Sequence, residues 1–314
     1  MYAVPVKTLL EAGTHFGHRA SRWNPKMAPY IFGKRNLIHI IDLKQTLRGL
    51  LKACLFLQQL AAQGESILFV GTKRQAQSVI GAEGDRLGMP FITERWLGGT
   101  LTNFDVIRTR LRRLEELEAM ETDGTFDRMS KKEIAMIQRE KRKIHRNLHG
   151  LRKMSGLPGA MVVVDPRREK TAVREAKKVG VPIIAVLDTD CDPEMIDIPI
   201  PGNDDALRSI QVLVGKIGEA IRNGQQAYQQ FLAEEEKRRQ DEESRADQAR
   251  KQKLEDQKKR QSEQAELEKI LKKAREERAK RQGEEEAAQA RLEQAGADAP
   301  AAAPSGDAPA ADSK

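Results

Sequence analysis

The sequence predicts an α/β fold built on one doubly wound parallel sheet, interrupted by an antiparallel helical hairpin and followed by a long charged extension. Three observations lead there. Ile67-Leu68-Phe69-Val70, Ala160-Met161-Val162-Val163-Val164 and Pro182-Ile183-Ile184-Ala185-Val186-Leu187 are continuous apolar runs, the pattern of parallel strands covered by helices on both faces. Residues 105–154 hold two helix-patterned segments with facing apolar positions across a turn. Beyond about Gly224 the chain changes to Glu, Lys, Arg, Gln and Ala with few apolar residues. The organisation is an α/β domain over 1–224, a hairpin inserted at 105–154, and an extension over 225–314.

Charge divides the same way. Residues 233–314 carry 19 Lys+Arg and 21 Asp+Glu, leaving 36 basic and 26 acidic residues in 1–232, so the body is +10 and the tail −2. A body with that excess attracts a polyanion. Nucleic acid is preferred to a membrane, because no apolar run reaches eighteen residues and the start, Met1-Tyr2-Ala3-Val4-Pro5, lacks a charged segment followed by an apolar one. Cys54 sits in a helical apolar pattern and Cys191 in a loop. Two cysteines so unlike in setting predict free thiols, a reducing compartment and hence a cytoplasmic protein.

The elements follow in order. Val6 to Ala12 has helical spacing and ends at Gly13. Residues 14–30 read as an irregular basic arm, in which Arg19, Arg22 and Lys26, with Lys34 and Arg35 just beyond, interleave with Trp23 and Tyr30. Cations beside flat rings grip phosphates and stack on bases; the competing reading is a solvated loop with aromatic anchors. His15 and His18 are candidate metal ligands, but no Cys, Asp or Glu between Thr14 and Ile41 completes a shell. Leu37–Ile41 is a short strand. Asp42 caps a helix from Leu43 to Ala62, closed by Gly64, whose apolar stripe runs through Leu47, Leu50, Leu51, Cys54, Leu55, Leu57 and Leu60.

The run Ile67–Val70 meets Gly71-Thr72-Lys73-Arg74 and a helix to Leu87, with Thr72 expected at the cap. Lys73 and Arg74 at that helix start make a candidate anion site. The loop has neither Gly-x-x-x-x-Gly-Lys nor Gly-x-Gly-x-x-Gly, so a nucleotide pocket and a small-molecule substrate are not expected. A second strand, Met89–Ile92, leads into Glu94-Arg95-Trp96-Leu97-Gly98-Gly99-Thr100-Leu101-Thr102-Asn103-Phe104. The Gly98-Gly99 pair makes this a turn. Arg95, Trp96, Thr100 and Asn103 offer it donors and a ring suited to a polyanion backbone; a structural turn with Trp96 as a core anchor is the alternative.

Asp105–Met120 and Lys131–Met154 form the hairpin around a Thr122-Asp123-Gly124-Thr125 turn, with Ile107, Leu111, Leu114 and Leu117 answering Ile134, Ile137, Ile144, Leu148 and Leu151. Arg108, Arg110, Arg112 and Arg113 crowd one helix, and Arg139, Lys141, Arg142, Lys143 and Arg146 the other, more cations than a solvated face needs, which favours contact with a polyanion. After it come the strand at Ala160, a helix from Arg168 to Val179, the strand at Pro182, a proline-blunted strand at Ile196–Ile200, and a helix from Ala206 to Arg222 capped by Asn203 or Asp204. Asp188, Asp190, Asp192, Asp204 and Asp205 cluster after strand ends, where Asp188, Asp204 and Asp205 are candidate ligands for a structural Mg2+, against a simpler role as caps. No other cofactor is expected. In the extension, pairs such as Glu234 with Arg238 support a solvated helix without a sustained heptad. The terminal stretch Ala295–Lys314 is expected to be disordered.

Several motifs resemble, in order, those of the bacterial small-subunit ribosomal protein S-two family: Ala12-Gly13-Thr14-His15-Phe16-Gly17-His18, Trp23-Asn24-Pro25-Lys26-Met27, Tyr30-Ile31-Phe32, Asn36 to Leu43, Phe69-Val70-Gly71-Thr72-Lys73, Trp96 to Phe104, and Ile200-Pro201-Gly202-Asn203-Asp204-Asp205-Ala206. The likeness covers about residues 5–224. It implies a flavodoxin-like domain with a coiled-coil hairpin, placed between head and body of the small ribosomal subunit. It also implies contact with ribosomal RNA and neighbouring small-subunit proteins, docking of the mRNA-binding S-one protein, and no enzymatic activity. Asp190 stands where many relatives carry Asn, and the long extension departs from the family's short ending. Two readings from other classes stay open: an α/β phosphotransferase or nucleotide hydrolase using Thr72-Lys73 with Asp188, Asp204 and Asp205, and a protein-interaction scaffold built on hairpin and tail.

Overall fold

A computed structural model describes residues 4–123, 126 and 129–295. The centre of the hairpin turn, including Gly124 and Thr125, and the terminal stretch after Ala295 lie outside the described residues. Two compact units divide the chain, Met1–Glu235 and Glu236–Lys314.

In the first unit, α1 (Val6–Glu11), β1 (Phe16–Arg19), a 3-10 turn (Pro25–Tyr30), β2 (Ile31–Arg35) and β3 (Ile38–Ile41) precede α2 (Leu43–Ala62), β4 (Ile67–Val70), α3 (Arg74–Leu87) and β5 (Phe91–Ile92). The hairpin helices are α4 (Phe104–Thr122) and α5 (Lys131–Leu148). Then come β6 (Ala160–Val164), α6 (Lys170–Val179), β7 (Ile183–Leu187), β8 (Ile198–Pro201) and α7 (Leu207–Ala295), of which residues 207–235 belong to this unit. The main sheet is parallel throughout, in the order β5-β4-β6-β7-β8. Counted along the sheet strands alone this is the flavodoxin-like order, whose topological switch point lies between β4 and β6.

Period-two geometry explains the continuous apolar runs. Ile67, Phe69, Val162, Val164, Ile184 and Val186 point to one face, where α2, α3 and α7 add Leu50, Leu57, Ile80, Leu213 and Ile217. Leu68, Val70, Met161, Val163, Ala185 and Leu187 point to the other, against Leu111, Leu114, Leu148, Val173 and Ala176 of α4, α5 and α6. Two buried faces leave no solvent side to mark with polar residues. Each fully buried side chain such as Phe69 contributes about 2 to 3 kcal/mol of transfer free energy. At Gly49 α2 crosses so close to β8 that a Cβ would press into the Pro199 carbonyl. Gly49→Ala is therefore expected to lower unfolding free energy by about 2 to 3 kcal/mol, read as an earlier urea midpoint.

Three expectations are corrected. Residues 14–30 are not wholly an irregular arm: Phe16–Arg19 is β1 and Pro25–Tyr30 a 3-10 turn, and β1, β3 and β2 form an antiparallel sheet, with Asn36 and Leu37 both at positive φ in the β2–β3 turn. Thr72 does not cap α3; Lys73 holds the cap position without a side-chain bond. The helix expected to end at Arg222 continues, because Gly224 lies within α7. Asn203, not Asp204, accepts the backbone N–H groups of Asp205 and Ala206 at 2.8 and 3.0 Å just before that helix. In the second unit the described chain is helical to Ala295, and Leu267, Ile270 and Leu271 are exposed there.

Candidate nucleic-acid interface

Four groups of predicted residues meet different fates. The first sits where strands β4, β6 and β7 end, the place open α/β sheets offer ligands. Lys73 does not present its charge outward: Nζ lies 2.6 Å from Asp204 Oδ1, 2.5 Å from Asp205 and 3.9 Å from Asp165. Burial alone would lower its pKa, but Asp204 and Asp205 outweigh this and raise it. Thr72 is engaged too, its hydroxyl bonded to the buried Glu169 carboxylate. The expected anion site at Lys73 is thus filled by the protein's own carboxylates, while Arg74 stays exposed.

The same crevice collects His18. A bulge in β1, where the register shifts between Phe16 and Arg19, re-aims that residue. Its Nδ1 lies 2.9 Å from Asp188 and its Nε2 3.4 Å from Asp205. The Asp188 hydrogen bond holds the imidazole pKa at about 9. Asp204 is buried, its pKa pushed up to about 7 by burial and by Asp188 and Asp165, and its Oδ2 has no hydrogen-bond partner. Ligand atoms of His18, Asp188 and Asp204 lie within 4.8 Å of one another. The shell that His18 lacked in its own segment is supplied from about 170 residues away, beyond the reach of spacing rules. Asp205, the third expected ligand, lies more than half exposed and is held by Lys73 and His18.

The Gly-Gly turn is organised by a residue that sequence reasoning missed. Glu175 of α6 is buried and accepts from Trp96 Nε1 at 3.1 Å, Gly99 N at 2.8 Å, Leu101 N at 3.0 Å and Thr102 N at 3.4 Å. Burial would raise this carboxyl, but the donors prevail and its pKa is lowered. Gly99 sits at φ 91°, and Gly98 has open space around it. Trp96 and Thr100, expected at the interface, are both buried, and the Thr100 hydroxyl donates to Leu97 O at 2.6 Å. Arg95 and Asn103 remain at the surface. The signal was a carboxylate beside Ala172, Val173 and Ala176, the core-facing positions of α6.

In the small sheet Arg19, Lys34 and Arg35, and in the turn after β1 Arg22, are exposed without ion pairs among the described residues. Arg19 and Arg35 flank Ile38 on one face. Trp23 is partly exposed and packs its ring 5.1 Å from His39. Lys26 is neutralised by Asp192 at 3.0 Å and Glu194 at 2.6 Å.

On the hairpin the cations divide. Arg108 donates to Ser155 O at 2.6 Å and lies over the Phe104 ring, Arg113 pairs with Glu116 and Glu140, Lys141 with Glu121, and Arg142 donates to its own helix at Gln138 O. Arg110, Arg112, Arg139, Lys143 and Arg146 are exposed and carry no ion pair among the described residues. The buried seam of Ile107, Leu111, Leu114, Leu117, Ile144 and Leu148 fixes which positions face outward.

Fold and site define a class: a basic α/β protein of flavodoxin-like topology, with its sheet-end crevice closed by internal ion pairs and with cations that are unpaired among the described residues on a helical hairpin and beside a small side sheet. The family described as Ribosomal protein S2 matches residues 9–224. A small ribosomal subunit protein uS2 of Rhodopirellula baltica is 57% identical over 216 residues, 69% of this chain and 83% of the relative. One named uS2c of Rhodomonas salina is 53% identical over 224 residues, 71% of this chain and 92% of the relative. The chain belongs to the ribosomal protein S2 family. No described helix is long and apolar enough to cross a membrane.

Proposed function

We propose that the chain is a structural constituent of the small ribosomal subunit, working in translation in the cytoplasm, and that it holds ribosomal RNA between head and body while helping to dock the S-one protein beside its other protein neighbours. The observation that carries the RNA contact is the division of hairpin charge: Arg110, Arg112, Lys143 and Arg146 are held outward by a buried apolar seam and pair with no carboxylate among the described residues. Arg19, Arg22, Lys34 and Arg35 supply a second set, and Arg74 and Arg95 lie exposed beyond both. Unpaired surface cations on a rigid frame exchange small counterions for phosphates. Both native cysteines are buried, so a cysteine placed at position 143 can carry an iron chelate selectively. Hydroxyl radicals from it should cut small-subunit RNA at a few clustered sites, and absence of cutting in assembled subunits refutes the contact. S-one docking predicts that subunits assembled without this chain fail to retain S-one.

The crevice supports a structural divalent cation as a second element. His18, Asp188 and Asp204 converge, and the unpartnered Asp204 Oδ2 gives a cation a buried acceptor. An imidazole departs from the all-oxygen shell that Mg2+ prefers, so Mg2+ fits through the two aspartates. Added divalent cation should raise the melting temperature of the wild-type chain and leave that of Asp204→Asn unchanged. Equal shifts in both would remove the site.

A further inference from the structure

The outward stripe of α2 is not used by the RNA reading. Its exposed positions are Lys44, Arg48, Leu51, Lys52, Leu55 and Gln59, one face of the helix by their spacing. Leu51 is 45% and Leu55 50% exposed, although leucine on a solvated helix face is normally replaced by polar residues. No Asp or Glu occurs anywhere in α2. Lys44, Arg48 and Lys52 have no ion pair among the described residues.

Beside the stripe lies a cavity of about 440 Å3, lined by Lys52 and Phe56 of α2, Lys177 in the last turn of α6, Gly180 and Pro182 of the α6–β7 turn, and Ile198 of β8. Its one carboxylate, Asp197, is already taken by Lys177 at 2.6 Å and by the Ile183 backbone N–H at 2.8 Å. The site therefore combines two exposed leucines, a half-buried phenylalanine, and cations that face no free acid.

We propose that this stripe and cavity dock an acidic amphipathic helix of a partner protein. Its apolar residues at i, i+3/i+4 and i+7 spacing would cover Leu51, Leu55 and Phe56, and its carboxylates would meet Arg48, Lys52 and Lys44. Charge complementarity fixes the sign of the partner. The exposed leucines favour protein over RNA, because an amphipathic helix offers them a continuous apolar face whereas an RNA backbone presents mainly phosphates and ribose hydroxyls. The occupant differs from the RNA held by the hairpin, so the two contacts stand or fall separately.

The test uses the isotope-labelled full chain and three probes: a synthetic acidic amphipathic peptide of about four helical turns with Leu at i, i+3/i+4 and i+7, its counterpart with Lys replacing Glu, and a short single-stranded oligoribonucleotide. Resonances of Leu51, Leu55 and Phe56 should shift with the acidic peptide and not with the basic one. Leu51→Glu and Leu55→Glu should each weaken binding by about tenfold or more; Leu55→Ala, which adds no charge, should weaken it less. Far-ultraviolet circular dichroism and melting temperature identify variants that keep the fold, which these half-exposed positions permit. No shifts at these residues with about millimolar acidic peptide, or binding unaffected by the leucine substitutions, would overturn the proposal. So would shifts there with the oligoribonucleotide alone, since that result assigns the face to RNA.

Discussion

Simultaneous replacement of Arg110, Arg112, Lys143 and Arg146 by Ala is expected to weaken association with small-subunit RNA by about a hundredfold or more at moderate salt and to flatten its salt dependence. Every phosphate that is no longer neutralised by a side chain takes up to about 0.9 from the slope of log affinity against log salt. Lys26 and Arg113 serve as controls. Lys26 is held by two carboxylates and Arg113 by Glu116 and Glu140. Their replacement by Ala should change affinity little, because those cations are already compensated within the chain. A filter-binding series across salt concentrations separates the two sets. Equal losses from both would mean that internal ion pairing does not govern which cations reach RNA.

Glu175→Ala is expected to cost about 3 to 5 kcal/mol of folding stability. The substitution strips the acceptor from Trp96 Nε1 and from the amides of Gly99, Leu101 and Thr102 in one step, and a buried donor without a partner loses its hydration with no return. Urea unfolding should show an earlier midpoint with little change in slope, and Trp96 emission should shift to the red as water reaches the indole. The pH dependence has a definite sign. The folded carboxyl titrates below its ordinary value of 4.5, so its stabilisation is present above that pH and is lost as pH falls through the lowered folded value. Glu175→Gln removes that acid-dependent part, and its stability curve should be flatter below about pH 4.5. An equally steep acid loss in the variant would assign the effect to other carboxylates.

The main sheet was legible because doubly covered parallel strands read as unbroken apolar runs, and Ala160–Val164 or Ile183–Leu187 suit no solvated surface. The hairpin was legible for the opposite reason: sparse apolar residues at helical spacing, as at Ile107, Leu111 and Leu114, leave only a narrow seam. Of the small antiparallel sheet only β3 was legible, as the expected strand Leu37–Ile41. Its other two strands contain Gly17 and Gly33 and are broken by bulges, so alternation never runs long enough to be seen. Pairing between distant residues was hidden altogether. Lys73 looked free because Asp204 and Asp205 lie about 130 residues on, and Trp96 and Thr100 looked available because their neighbour Glu175 belongs to another helix. Charge counts in sequence show how many cations exist; only the fold shows which ones face their own acids.

The most direct test of the ribosomal assignment is sedimentation of a tagged chain through a sucrose gradient at moderate salt, followed against the small subunit. The chain should travel with the small subunit, and the Arg110, Arg112, Lys143 and Arg146 variant should shift toward the free-protein fractions while keeping its melting temperature. Migration of the wild-type chain only as free protein would contradict the assignment, and unchanged co-migration of the folded variant would contradict the hairpin contact.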